Sequence, residues 1–116
     1  PDTGSLRGDL QTLVDSSIVL VETPQGRKWI HRLLPNGRDA DLSGVAADFW
    51  NFRFNAAIPI LERAAARGEL RDGIDHGDVI RMLSASVIFD AIFLDSPSRP
   101  EYVAQTLDIV VRGITR

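Results

Sequence analysis

Leu6, Leu10, Leu13, Val14, Ile18 and Val21 recur every three or four positions through an otherwise polar stretch, the period of one face of an α-helix. Ser5 precedes the run as a cap residue, and Asp9 sets a carboxylate near the positive end, so a helix is predicted over about 5–23. Pro24 ends that helix and suits the first turn of another, predicted over 25–34 with Trp29, Ile30, Leu33 and Leu34 as its apolar positions. The segment PNGRDAD, residues 35–41, is turn chemistry. The longest periodic stretch follows, about 41–67, with Leu42, Val45, Phe49, Phe52, Ala56, Ile60 and Ala64 in register. Pro59 inside it removes one backbone hydrogen bond, which predicts a kink and not two helices. Gly68 is the natural stop.

Asp75 can cap a fourth helix, 76–94, that is apolar on three stripes. Val79, Leu83 and Val87 form one, Ile80, Ile88 and Ala91 a second, and Met82, Phe89 and Phe93 a third. Such a helix is either central to its own subunit or shares one face with a second copy. Ser98 and Glu101 have capping-box spacing, with Pro100 early in a fifth helix that runs nearly to Arg116. On it Val103, Leu107, Val110 and Ile114 point one way, while Thr106, Ile109 and Gly113 offer a second, smooth face. The pattern predicts an all-α, five-helix fold with no strands. There are no repeats and no domain boundary, so residues 1–116 read as one domain.

Composition narrows the function classes. The chain has 116 residues, 44% hydrophobic and 25% charged, enough for a single core. A net charge of −3 argues against nucleic-acid binding by bulk charge, because phosphate contacts need a basic face. Without cysteine there is no disulfide framework and no thiolate nucleophile. The N-terminal PDTGSLRGDL lacks a signal-peptide core, and charge interrupts every long apolar run, so a cytoplasmic setting without a membrane span is expected. The chain does not begin with Met, which suits a piece of something longer. His31 and His76 lack metal-type spacing, and GRDADLSG lacks the acidic spacing of a calcium loop. With no nucleophile elbow and no phosphate loop, no catalytic residue, metal or cofactor is predicted. Arg27, Lys28, Arg32 and Arg38 form a basic cluster, read as a solvated face.

The stretch from Ile60 to Leu94, ILERAAARGELRDGIDHGDVIRMLSASVIFDAIFL, resembles the C-terminal domain of TetR-family (tetracycline-repressor-like) bacterial transcriptional regulators. A long helix ends in Arg63-Ala64 and Arg67-Gly68-Glu69-Leu70. A linker with acidic Asp75 and Asp78 leads to the apolar helix, Val79 to Leu94, and the last helix closes with Val110 to Ile114. The opening TGSLRGDL, residues 3–10, is similar to the start of that domain's first helix. The resemblance implies an effector-sensing, homodimerising domain in which a four-helix bundle joins two copies. Complete members of that family carry an N-terminal helix-turn-helix head, which this chain lacks, so operator DNA would be a partner only through the missing head.

The resemblance also implies an inducer site among the first four helices. Trp29, Phe49, Trp50, Phe52, Phe54, Phe89 and Phe93 are candidates; each alone suits a core better than a pocket, but together they favour an aromatic-lined cavity for a small apolar or aromatic molecule. Arg53 and Asp90 fall on or near inward positions. Charges there either find partners (each other, another polar group, or ligand and water) or reach solvent at the pocket mouth, with the Arg53 stem lying along the rim. Asn51 and Asn55, one turn apart, belong either to such a site or to the wet face. Val87, Ala91, Thr106, Ile109, Val110 and Gly113 are the expected dimer contacts. The competing expectation is a helical interaction module with a filled core and no ligand.

Overall fold

A computed structural model describes residues 2–33, 40–94, 96 and 98–116. These form five α-helices and no sheet: α1 Leu6–Glu22, α2 Pro24–Leu33, α3 Ala40–Ala66, α4 His76–Phe93 and α5 Pro100–Ile114. The expected 35–41 turn lies largely outside the described residues, as do Leu34, Arg38 and the side chains of Leu33 and Leu42.

The helix ends follow local chemistry. Ser5 Oγ accepts the Gly8 N–H at 3.0 Å, and Asp75 Oδ1 accepts the Asp78 N–H at 2.9 Å. Between α1 and α2 the chain turns so tightly that a Cβ at Gly26 would overlap the Leu20 carbonyl oxygen, which only glycine avoids. Gly68, at φ 77°, closes α3: the Glu69 N–H donates to Ala64 O and the Gly68 N–H to Ala65 O, both at 3.0 Å. That pair of bonds satisfies two carbonyls the helix end would otherwise leave open. Pro59 sits inside a single α3 helix and does not break it. The expected capping box of α5 is absent. Arg99 is the cap residue and makes no side-chain cap bond, because the Ser98 hydroxyl donates instead to Asp90 Oδ2 at 2.9 Å.

Helices α1 and α4 form the axis of the bundle and pack on each other and on all the rest; α2 and α3 lie on one flank and α5 on the other. Leu10 and Leu61 are fully buried, and Ile30, Ile60, Ile80 and Leu83 are 1% exposed. Two of the three α4 stripes, Val79–Leu83–Val87 and Ile80–Ala91, enter this core. The third does not: Met82, Phe89 and Phe93 are 55%, 53% and 68% exposed. On α5 Val103, Leu107 and Ile114 are buried as expected, while Val111 takes the buried place expected of Val110, which is half-buried beside it. In α3 the buried line is Ala57, Ile60, Leu61 and Ala64; Val45, Phe52 and Ala56, expected inward, are exposed, and Phe49 is half-buried.

Two polar devices tie the ends together. The linker after Gly68 pairs with the end of α5 through an isolated bridge between Leu70 and Thr115. There the Arg71 N–H donates to Ile114 O at 2.9 Å and the Arg116 N–H to Glu69 O at 3.1 Å. The two arginine side chains add Nε donations to Gly113 O at 2.6 Å and Leu70 O at 2.8 Å. The other device is Asp9, expected only as a first-turn acid. It is fully buried; its Oδ1 accepts the Thr3 N–H at 2.6 Å, and its Oδ2 faces Arg63 Nη2 at 3.6 Å. Burial pushes the Asp9 pKa up, but the Thr3 hydrogen bonds and Arg63 outweigh it and hold the carboxyl below its ordinary value.

Candidate functional site

Where α1 crosses α3, small residues meet. Ser16 on one helix and Ala56 and Ala57 on the other line a seam that is left partly unfilled, and Arg53 of α3 reaches Ser17 of α1 beside it. The result is a groove of about 260 Å³ lined by Leu13, Ser16, Phe49, Phe52, Arg53, Ala56 and Ala57. Phe49 and Phe52 project from α3 one turn apart and form its aromatic wall.

Behind the groove runs a chain of rings. Trp29 meets Phe49 edge-on with centroids 6.0 Å apart, Phe49 meets Trp50 edge-on at 5.0 Å, and Trp50 stacks on Phe54 at 6.0 Å. Such contacts hold ring orientations as well as burying area. α2 thereby supports the wall through Trp29, though Trp29 itself does not line the groove.

Arg53 is the charged group at this site. It is half-buried, and its Nη2 donates to Ser17 Oγ at 3.2 Å. Ser17 in turn donates to Leu13 O at 3.0 Å, a bond within α1 that fixes the hydroxyl. Burial lowers the Arg53 pKa, yet an arginine stays cationic at any ordinary pH. No carboxylate pairs with it among the described residues.

Not all expected site residues come together. Phe49, Phe52 and Arg53 do. Phe89 and Phe93, with centroids 5.2 Å apart, lie on the exposed stripe of α4, away from the groove. Asp90 does not meet Arg53; its Oδ2 accepts from Ser98, and its backbone carbonyl accepts the Leu94 and Ser96 N–H groups at 3.2 and 3.3 Å. It is a clasp for the α4–α5 loop. Asn51 and Asn55 are exposed and do not line the groove. Of the basic cluster, Lys28 and Arg32 are exposed, while Arg27 lines a small hollow with Val21, Glu22, Ala91 and Ser96. Sequence reasoning missed Leu13, Ser16 and the Ala56–Ala57 pair. The available signal was two adjacent small residues on each of two helices.

The expected dimer contacts divide as well. Val87 and Ala91 are 2% and 7% exposed within one chain, so they have no surface to offer a second copy. Ile109 is 62% exposed, Gly113 is exposed, and Thr106 and Val110 are half-buried beside it. The Thr106 hydroxyl donates back to Tyr102 O at 2.8 Å, so its polar group is satisfied within α5. Among the described residues no group of three or more His, Asp or Glu side chains could hold a metal ion, and no helix is long and apolar enough to cross a membrane.

A family model described as the tetracyclin repressor-like, C-terminal domain matches residues 1–110. The HTH-type transcriptional regulator AqdR of Rhodococcus erythropolis is 26% identical over 113 residues, covering 97% of this chain. The chain spans 55% of the length of that relative. No solved structure matches it significantly.

Proposed function

Because the chain belongs to the tetracycline-repressor-like C-terminal domain family, whose members are transcriptional regulators and not enzymes, we propose that it is the effector-sensing and dimerising part of such a regulator. The observation that carries the sensing role is the groove between α1 and α3. It has an aromatic wall and a floor of small residues, with a single cation at its side. A small aromatic molecule seated there touches both helices, so it favours one α1–α3 spacing over others. A ligand shifts a conformational equilibrium only by such differential contact. In a longer protein that spacing would be passed to a DNA-binding head.

A thermal-shift screen of small aromatic compounds tests this reading. A compound present at about 100 times its Kd raises stability by about 2.7 kcal/mol. Ala56→Phe, at an exposed position on the groove floor, is expected to fold normally and to abolish such shifts. Shifts that survive in this variant place the ligand elsewhere.

Dimerisation is assigned to the outer faces of α4 and α5. Met82, Phe89 and Phe93 on α4 and Ile109 on α5 are large apolar side chains left in solvent by the single chain, which is the mark of an interaction surface. Ile109→Glu is expected to convert a dimer to a monomer at tens of micromolar in analytical ultracentrifugation, with the helical content unchanged. A wild-type chain already monomeric at that concentration ends the proposal.

A further inference from the structure

We propose that the α1–α3 groove takes a planar aromatic anion, with the Arg53 guanidinium reading a carboxylate and Phe49 and Phe52 packing on the ring. This rests on the reading of the groove as the effector site and adds the charge class of the effector.

Three observations carry it. The first is the unused capacity of Arg53. A guanidinium has five N–H donors in a fork that matches a carboxylate two-to-two. Arg53 spends one on the neutral Ser17 hydroxyl, and no carboxylate among the described residues takes the others. A cation half-withdrawn from water at the wall of an apolar groove gains most from an anion arriving there. The second is the absence of any acidic side chain among the seven described lining residues, which disfavours a cationic ligand. The third is size. An apolar cavity of about 150 Å³ holds benzene; the groove, at about 260 Å³, therefore suits one or two fused rings with a short polar group, and is small for a long-chain amphiphile.

The test is calorimetric titration of the full chain with 2-naphthoate and with 2-naphthamide, which share ring and shape but differ in charge. The wild type is expected to bind the acid at least about tenfold more tightly, the worth of a charge-assisted hydrogen bond. Arg53→Met, whose side chain keeps the apolar stem, should erase that preference by weakening the acid and sparing the amide. Arg53→Lys, a cation without the fork, should fall between, and circular dichroism melts confirm that both variants fold. Equal affinity of the wild type for acid and amide, with both lost in Ala56→Phe, keeps the groove as a binding site and overturns the anion. Binding of neither probe overturns both. A preference for the acid that persists in Arg53→Met overturns the assignment to Arg53.

Discussion

Leu83→Ala is expected to lower the unfolding free energy by about 2–5 kcal/mol, the range for emptying a packed leucine site. Leu83 is 1% exposed on α4, the helix that touches all four others, so no single neighbour can move in without disturbing the rest. Domains of this size have about 5–15 kcal/mol in total, so the loss is a large fraction. It should appear as a fall in Tm of roughly 10–20 °C. Val19→Ala is the control: Val19 is 62% exposed on α1, and its truncation should change stability by no more than about 0.5 kcal/mol. Urea titrations of the two variants side by side decide it. Equal midpoints would show that α4 is not the axis of the core.

Asp9→Asn is expected to cost about 2–4 kcal/mol at pH 7. The amide keeps an acceptor for the Thr3 N–H but presents no charge to Arg63, and it is fully buried. The pH dependence gives a sharper check. The folded-state pKa of Asp9 is depressed, so its contribution is complete above the unfolded value, about 3.9, and is lost as pH falls through the lower folded value. The stability gap between wild type and Asp9→Asn should therefore narrow between pH 7 and pH 3. Glu69 and Asp108 are also held below their ordinary values, by Arg67 and by Arg7. Asp108 is common to both proteins and cancels in the difference, whereas Glu69 feels the Asp9 charge, the smallest of the causes that act on it, and cancels only in the main. A gap of constant size across that range would mean that the Asp9 carboxylate contributes nothing through its charge.

Much of the architecture is legible in the chain because it is written in local chemistry. Ser5, Asp75 and Gly68 fix helix ends within a few residues, and those residues act where the sequence places them. The phase of a helix is harder. On α5, Val110 and Val111 are adjacent and chemically identical, so only packing against α1 and α4 selects Val111 for the core. On α4, periodicity finds three apolar stripes but cannot tell which one the chain itself leaves uncovered; Phe89 and Phe93 looked like pocket residues and proved to be surface. Arg53 was traceable from its spacing to Phe49 and Ala56, and it does stand at the groove. Its imagined partner was not traceable. Asp90 is satisfied by Ser98 across the α4–α5 loop, and no periodic argument spans a loop. Asp9 shows the same limit: its sequence context predicts only a first-turn acid near the positive end of α1, and its partners Thr3 and Arg63 come from the segment before α1 and from a different helix.

The pairing of the α3–α4 linker with the last residues has a topological meaning. From Leu70 the backbone runs through α4 and α5 and returns to Thr115, where hydrogen bonds fasten it to its own starting point. That part of the molecule is a ring held by a buckle. The bridge fastens the end of α5 beside Glu69 and Leu70, so opening of the last turn of α5 has to break those bonds as well as its own. The last turn of α5 and the α3–α4 linker are thereby coupled: loosening one is expected to loosen the other.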